Sequence, residues 1–179
     1  MPTGEILLIV GIARRLTRPD FVAQHGGFYL VGADTLVRPM GPSRTLGPDA
    51  LSPVELARLR TDPHAYLEPP GMGPSPILVL PVRKNQTMFS TMITLGRTQN
   101  NDIILSDVSI SKFHAWFKID GSTVEVYDAG SRNGTFVGEA RLVPKGPPER
   151  ITSGVELRFG GRKFLLLDAG ATWDYIHKR

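Results

Sequence analysis

Three stretches in the second half of this 179-residue sequence bring together side chains rich in hydrogen-bond donors. They are Gly96-Arg97, the run from Asp107 through Ser109, Ser111 and Lys112 to His114, and the run from Asp128 through Ser131, Arg132, Asn133 and Gly134 to Thr135. Arg97 and Arg132 each offer a planar fork of N–H groups, Lys112 an ammonium, Ser111 a hydroxyl, and Asn133 an amide that both donates and accepts. The complement of such a set is an acceptor-rich anion. A phosphorylated hydroxyl, with roughly −1.5 to −2 charge and three strong acceptor oxygens, fits that description.

Other chemistries find less support in the residues. Ser111 and His114 invite a nucleophile–base pair, but no acid in the segment is placed to orient the imidazole, so His114 is expected to be a structural histidine bonded to nearby backbone. The four histidines, His25, His64, His114 and His177, are scattered without metal-ligand spacing, and there is no cysteine. Gly71 and Gly73 lack the third glycine of a dinucleotide fingerprint, and no Gly-Lys-Ser/Thr phosphate loop occurs. We therefore expect no metal, no cofactor and no catalytic residue.

The elements that must position the donors read as short strands. Val124 and Val126 alternate with Thr123, Glu125 and Tyr127, and Val155, Leu157 and Phe159 alternate with Glu156 and Arg158, a period of two. Further strands are expected at 77–80, 91–95, 103–105, 115–119, 135–137 and 164–167. Turn pairs such as Asp120-Gly121 and Asn133-Gly134 break the series. Many short strands at close spacing predict an all-β fold, a two-sheet antiparallel β-sandwich, with the donor-bearing stretches as loops at one end. Trp116 and Phe117 fall on opposite faces of one strand, which predicts one core ring and one partly exposed ring.

The first part of the chain differs. Twelve of the 15 prolines lie between Pro2 and Pro81, and the Glu68–Pro76 stretch is the densest. Proline removes a backbone donor, so this part is predicted to be a Pro-rich, partly helical extension. Short helices are expected at Glu5–Leu16 and at Pro53 to Arg60, the latter capped by Ser52, and Phe28–Val31 reads as a strand. The predicted division is residues 1–75 as extension, 76–169 as sandwich and 170–179 as tail. Acidic and basic groups balance in 1–75, so the whole net charge of +4 falls after residue 75. An excess this small argues for neither nucleic acid nor membrane as partner. The longest early apolar run, Ile6–Ala13, is far short of the roughly 20 residues that span a bilayer, and Glu5 precedes it where a secretory signal carries basic residues. A cytoplasmic location is expected.

Gly96-Arg97, Ser111 with His114 three residues on, and Ser131-Arg132-Asn133-Gly134-Thr135, in this order and spacing, resemble the signature of the forkhead-associated domain over about Ser75 to Ala169. That family is among the readers of phosphorylated motifs, and the resemblance implies a sandwich of about eleven strands. It implies that Arg97 and Ser111 hold the phosphate of a phosphothreonine, that Lys112, standing where Arg or Asn is frequent, adds a further phosphate or peptide contact, that Arg132 lines the phosphate pocket or peptide track, and that Asn133 holds the peptide backbone. Gly96, His114 and Gly134 are implied to be framework positions. Two departures, Ala129 for a larger apolar residue and Val137-Gly138-Glu139 for an asparagine-glycine turn, concern the local loop path. The implied function is a non-enzymatic phosphothreonine-peptide adaptor in Ser/Thr kinase signalling, its partners a phosphothreonine protein and a Ser/Thr kinase. The alternative is a phosphate-independent assembly module with an unused pocket. A weaker variant has Thr45 phosphorylated and bound in cis.

Overall fold

The structure, a computed structural model, describes residues 9–33, 77–85 and 91–178. Eleven strands, β1 (Phe28–Ala33), β2 (Ile77–Val82), β3 (Ile93–Gly96), β4 (Ile103–Ile104), β5 (Ala115–Asp120), β6 (Thr123–Asp128), β7 (Thr135–Val137), β8 (Ala140–Arg141), β9 (Glu149–Ile151), β10 (Val155–Phe159) and β11 (Arg162–Asp168), form two sheets. One has six strands in the order β2-β1-β11-β10-β7-β8, the other five in the order β4-β3-β5-β6-β9. This is the expected two-sheet β-sandwich. The sandwich is not wholly antiparallel, because β3 and β4 pair in parallel, Leu95 with Ile103 and Gly96 with Ile104. The return is made by Asp102, whose carboxylate accepts from the Thr94 amide at 2.8 Å and the Thr94 hydroxyl at 2.9 Å and so draws the chain back beside β3.

The inner faces of the sheets build the main core. Leu30, Leu80, Leu95, Phe117, Val126, Leu157, Phe159 and Leu166 are buried there. Phe159 stands at the centre: Phe117 meets it edge-on at 5.9 Å, and His114 does the same at 6.1 Å. Phe117 is fully buried, whereas Trp116, on the other face of β5, is half-buried and stacks on Tyr127 across the strand pair at 3.6 Å.

The outer face of the six-stranded sheet carries a second core, a layer that the period-two pattern does not reveal. Residues 9–13 are helical, and α1 (Arg18–Gln24) and α2 (Ala169–His177) lie with them over Tyr29, Val31, Val79 and Leu167. Phe21, Ala13 and Ile176 fill that layer. Trp173 donates from Nε1 to the Leu16 carbonyl at 3.1 Å, and Arg18 grips Asp174 with both Nε and Nη2, at 3.0 and 3.2 Å.

Two boundaries therefore differ from the sequence reading. The sheet does not begin at residue 76, since β1 lies between β2 and β11, with Leu30 opposite both Leu80 and Leu166. A strand buried on both faces has no polar alternation and is easily mistaken for an isolated apolar run. The segment expected as a tail is instead helical over Ala169–His177: Asp168 caps α2 by accepting from the Ala171 amide at 2.8 Å, and Ile176 is buried. The strand expected at 91–95 runs from Ile93 to Gly96. The departure at Val137-Gly138-Glu139 is a two-residue hairpin connection, with Val137 opposite Ala140 and Gly138 at φ +55°, where a glycine suits a primed turn. The helix expected at Pro53–Arg60, Thr45 and the 68–76 stretch fall outside the described residues, as does 5–8 of the first expected helix.

Candidate functional site

The three donor-bearing stretches meet at Ser111. Its carbonyl accepts from the Arg97 amide at 2.9 Å, its amide donates to Nδ1 of His114 at 3.0 Å, and its hydroxyl oxygen accepts from the Arg132 amide at 3.0 Å. One residue thus joins the end of β3, the loop before β5 and the loop after β6. The Ser111 oxygen is used as an acceptor, and its own proton has no acceptor among the described residues, so it is free to be donated to a ligand.

His114 holds this junction from beneath. It is fully buried, with Nδ1 accepting from Ser111 and Nε2 3.1 Å from the Gly134 carbonyl. A backbone amide can only donate, so Nδ1 is bare and Nε2 carries the proton, which it gives to Gly134. Burial pushes the imidazole below its ordinary value, opposed by the Gly134 hydrogen bond and the charge of Asp128. Both ring nitrogens are occupied by backbone, and neither faces the Ser111 hydroxyl. This is a structural histidine, not the base of a Ser–His pair.

Asp128 shapes the next loop. Its carboxylate is buried, and Oδ1 accepts from the amides of Gly130 and Ser131, both at 2.8 Å. Oδ2 accepts from the hydroxyls of Ser131 at 2.6 Å and Thr135 at 2.7 Å. Burial pushes this carboxyl up, but the four hydrogen bonds outweigh it and hold the group below the usual aspartate range. Ser131 completes the turn by accepting from the Gly134 amide at 3.0 Å. The loop cannot open without uncovering several buried polar groups.

Asn133 and Arg132, exposed at the tip of that loop, point the remaining chemistry outward. Asn133 donates from Nδ2 to the Ser109 carbonyl at 2.8 Å, which uses one amide hydrogen and fixes the plane of the group, leaving Oδ1 and the second hydrogen. Ser109 is itself anchored, its amide and hydroxyl both donating to Oδ1 of Asp107 while Oδ2 faces Arg162 Nε at 3.2 Å. Burial raises the Asp107 carboxyl, and the Ser109 bonds with Arg162 more than reverse that.

Gly96 is required by close approach. A Cβ there would run into the Lys112 carbonyl and lie 2.7 Å from Nδ2 of Asn101. Asn101, buried, bonds that same carbonyl at 2.8 Å and so ties the Arg97 turn to the Lys112 loop. Gly134 has φ +85° and its carbonyl serves both His114 and the Gly160 amide.

Above this frame stand Arg97, Lys112 and Arg132, all exposed, and none has a hydrogen-bond acceptor or carboxylate partner for its side chain among the described residues. Every site residue read from the sequence therefore lies on the three loops joined at Ser111 or directly beneath them. The reading passed over Asp128, Asn101 and Asp102. Asp128 had a legible signal, an Asp two and three residues before Gly130 and Ser131, the pattern of a side chain that caps its own turn. Asn101 and Asp102 were harder to read, because the Lys112 carbonyl that Asn101 bonds and the Thr94, Lys84 and Asn85 groups that Asp102 bonds lie in other segments. Among the described residues no group of three metal-ligating side chains gathers and no helix is long and apolar enough to cross a membrane.

Comparison with known proteins agrees with this arrangement of motifs. The family model of the FHA domain matches residues 93–160. The oxoglutarate dehydrogenase inhibitor of Corynebacterium diphtheriae is 36% identical over 75 residues, which are 42% of this chain and 50% of that protein. The glycogen accumulation regulator GarA of Mycolicibacterium smegmatis is 48% identical over 42 residues, 24% of this chain and 27% of that protein. The chain thus spans half or less of the length of these curated relatives. Among solved structures, the yeast Dun1 FHA domain in complex with a doubly phosphorylated peptide is 30% identical, covering 55% of this chain and 71% of that one with a TM-score of 0.43. Residues 93–160 of this chain thus match the forkhead-associated domain family.

Proposed function

We propose that this chain is a non-enzymatic module that binds phosphothreonine peptides and couples Ser/Thr kinase output to assembly of a protein complex in the cytoplasm. The observation that carries the reading is the junction at Ser111, whose carbonyl and hydroxyl oxygens accept from the backbone amides of Arg97 and Arg132, two residues whose guanidiniums no carboxylate of the described residues neutralises. Arg97 and Ser111 bind the phosphate oxygens, Lys112 and Arg132 add charge at its rim, and Asn133, its plane set by Ser109, holds the peptide backbone beside the phosphothreonine. No group has to move a proton or form a bond. Binding needs only a rigid frame and unpaired donors, and charge-assisted hydrogen bonds contribute about 1.5–3 kcal/mol each.

Fluorescence anisotropy with phosphothreonine peptides and their unphosphorylated twins tests the reading. Phosphopeptides are expected to bind and the twins not. Equal binding to both forms would overturn it and favour a phosphate-independent assembly surface.

A further inference from the structure

A second anion-binding surface adjoins the loop site. On the outer face of the six-stranded sheet the register sets Lys163 opposite Arg158, Arg158 opposite Phe136, and Phe136 opposite Arg141. Residues directly opposite one another across strands share a face. That face is the outer one, since Leu157 and Phe159 to either side of Arg158 are in the main core. The helical layer covers the β2-β1-β11 side of this face, through Tyr29, Val31, Val79 and Leu167, and includes no residue of β10, β7 or β8. Four neighbouring side chains, three of them cationic, thus form a row across four strands, about 14 Å long at ~4.8 Å per strand.

Arg158 is not a freely swinging surface charge. Its guanidinium lies 3.4 Å from the centroid of the Phe136 ring and donates from Nη1 to the Gly160 carbonyl at 3.0 Å. Stacking and one hydrogen bond fix the plane of the fork, and the remaining N–H groups lack an acceptor among the described residues. Arg141 is exposed, 5.9 Å from the same ring. Within the row only Lys163 meets a carboxylate, Glu156 at 3.1 Å, and that pair is open to solvent. The row also touches the loop site: a Cβ on Gly134 would lie 2.7 Å from Nε of Arg141 and 2.9 Å from the Phe136 ring. Gly134 follows Asn133 directly, so a peptide held by Asn133 has the row beside it.

We infer that the Arg141–Phe136–Arg158–Lys163 row binds an acidic stretch of the same phosphoprotein whose phosphothreonine occupies the loops. This rests on the phosphothreonine reading above. The complement of three cations, two on neighbouring strands and the third two strands beyond, is a run of carboxylates in extended chain, where about four residues span the row.

The test uses the full chain and three fluorescent probes: a short neutral phosphothreonine peptide, the same peptide with four Asp/Glu residues added before or after it, and the acidic peptide without phosphate. In one of the two orientations the tail is expected to tighten binding about tenfold at low salt, as three exposed ion pairs allow, and the gain fades as salt is raised. The Arg158→Gln, Lys163→Gln double variant is expected to lose that gain and keep the affinity of the short peptide. A tail that adds nothing in either orientation, or adds as much in the variant, overturns the row while leaving the loop site intact. Failure of the short phosphopeptide to bind the unaltered protein instead removes the loop reading. If the variant fails to fold, Arg141→Gln with the same three probes replaces it, judged by the ratio of tailed to untailed affinity in each protein.

Discussion

The frame beneath the site and the surface above it treat polar groups in opposite ways. In the frame, Asp128 accepts four hydrogen bonds, Asn101 bonds both Thr98 and the Lys112 carbonyl, and both nitrogens of His114 meet backbone. On the surface, Arg97, Lys112 and Arg132 have no internal acceptor among the described residues. Buried polar groups must be satisfied or they destabilise the fold, whereas exposed cations can wait for a ligand because water solvates them. Shape and affinity therefore reside in different residues a few ångströms apart, and substitutions should separate them.

The largest expected effect breaks the frame. Asp128→Ala leaves two buried hydroxyls and two loop amides without their acceptor. Stability should fall by about 3–5 kcal/mol, read by chemical or thermal unfolding, with phosphopeptide binding lost as a consequence. Arg97→Ala should do the reverse, weakening phosphopeptide affinity at least tenfold, or about 1.5–3 kcal/mol, with stability within about 0.5 kcal/mol of the parent. An unfolding midpoint that moves with Arg97 as it does with Asp128 would erase the distinction between frame and surface.

Titration sharpens the same comparison. His114 is held below its ordinary value in the folded chain, so the unfolded chain binds its proton first, and stability should begin to fall as pH drops through about 6.5. Asp107 and Asp128 are also held below their ordinary values. Their contribution is complete above an unfolded value of about 3.9 and is lost as pH falls through their lower folded values, so a second decline follows in stronger acid. Phosphopeptide affinity should weaken as pH drops through about 6, where the phosphate takes up its second proton. Anisotropy and unfolding curves measured across the same pH range check both; affinity that rises on acidification would contradict a dianion bound by exposed cations.

The smallest effect is expected at Lys112. Lys112→Arg exchanges a point charge for a planar fork at the rim of the site, and affinity should rise about two- to threefold with stability unchanged. Lys112→Ala, with the carbonyl contacts of its backbone retained, should weaken binding less than Arg97→Ala does.

Much of the site was legible because its signals are local. Ser111 with His114, and Ser131 to Thr135, sit on single loops whose strands show a period of two. The supports under those loops were harder to read: the Asn101 side chain spans 11 residues to the Lys112 carbonyl, and Arg162 reaches Asp107 across the sandwich. A side chain's hydrogen bond to a distant loop leaves no trace in spacing. The departure at Val137-Gly138-Glu139 mattered little, since Gly138 still permits a two-residue hairpin.

By itself the sequence determined most strands of the sandwich, though not the short β8 and β9, and the donors at its end, since alternation of apolar residues and turn-forming pairs are properties of neighbouring positions. Only the tertiary structure decided that β1 and α2 complete the fold, that residues from both ends of the chain cover one sheet face, and that Arg158 and Arg141 line up beside the site. The physical reason is the same in each case. Pairing between elements over 100 residues apart, such as Arg18 with Asp174, is fixed by which apolar faces remain to be buried once the sandwich has closed, and that is a property of the assembled sheets rather than of any one segment.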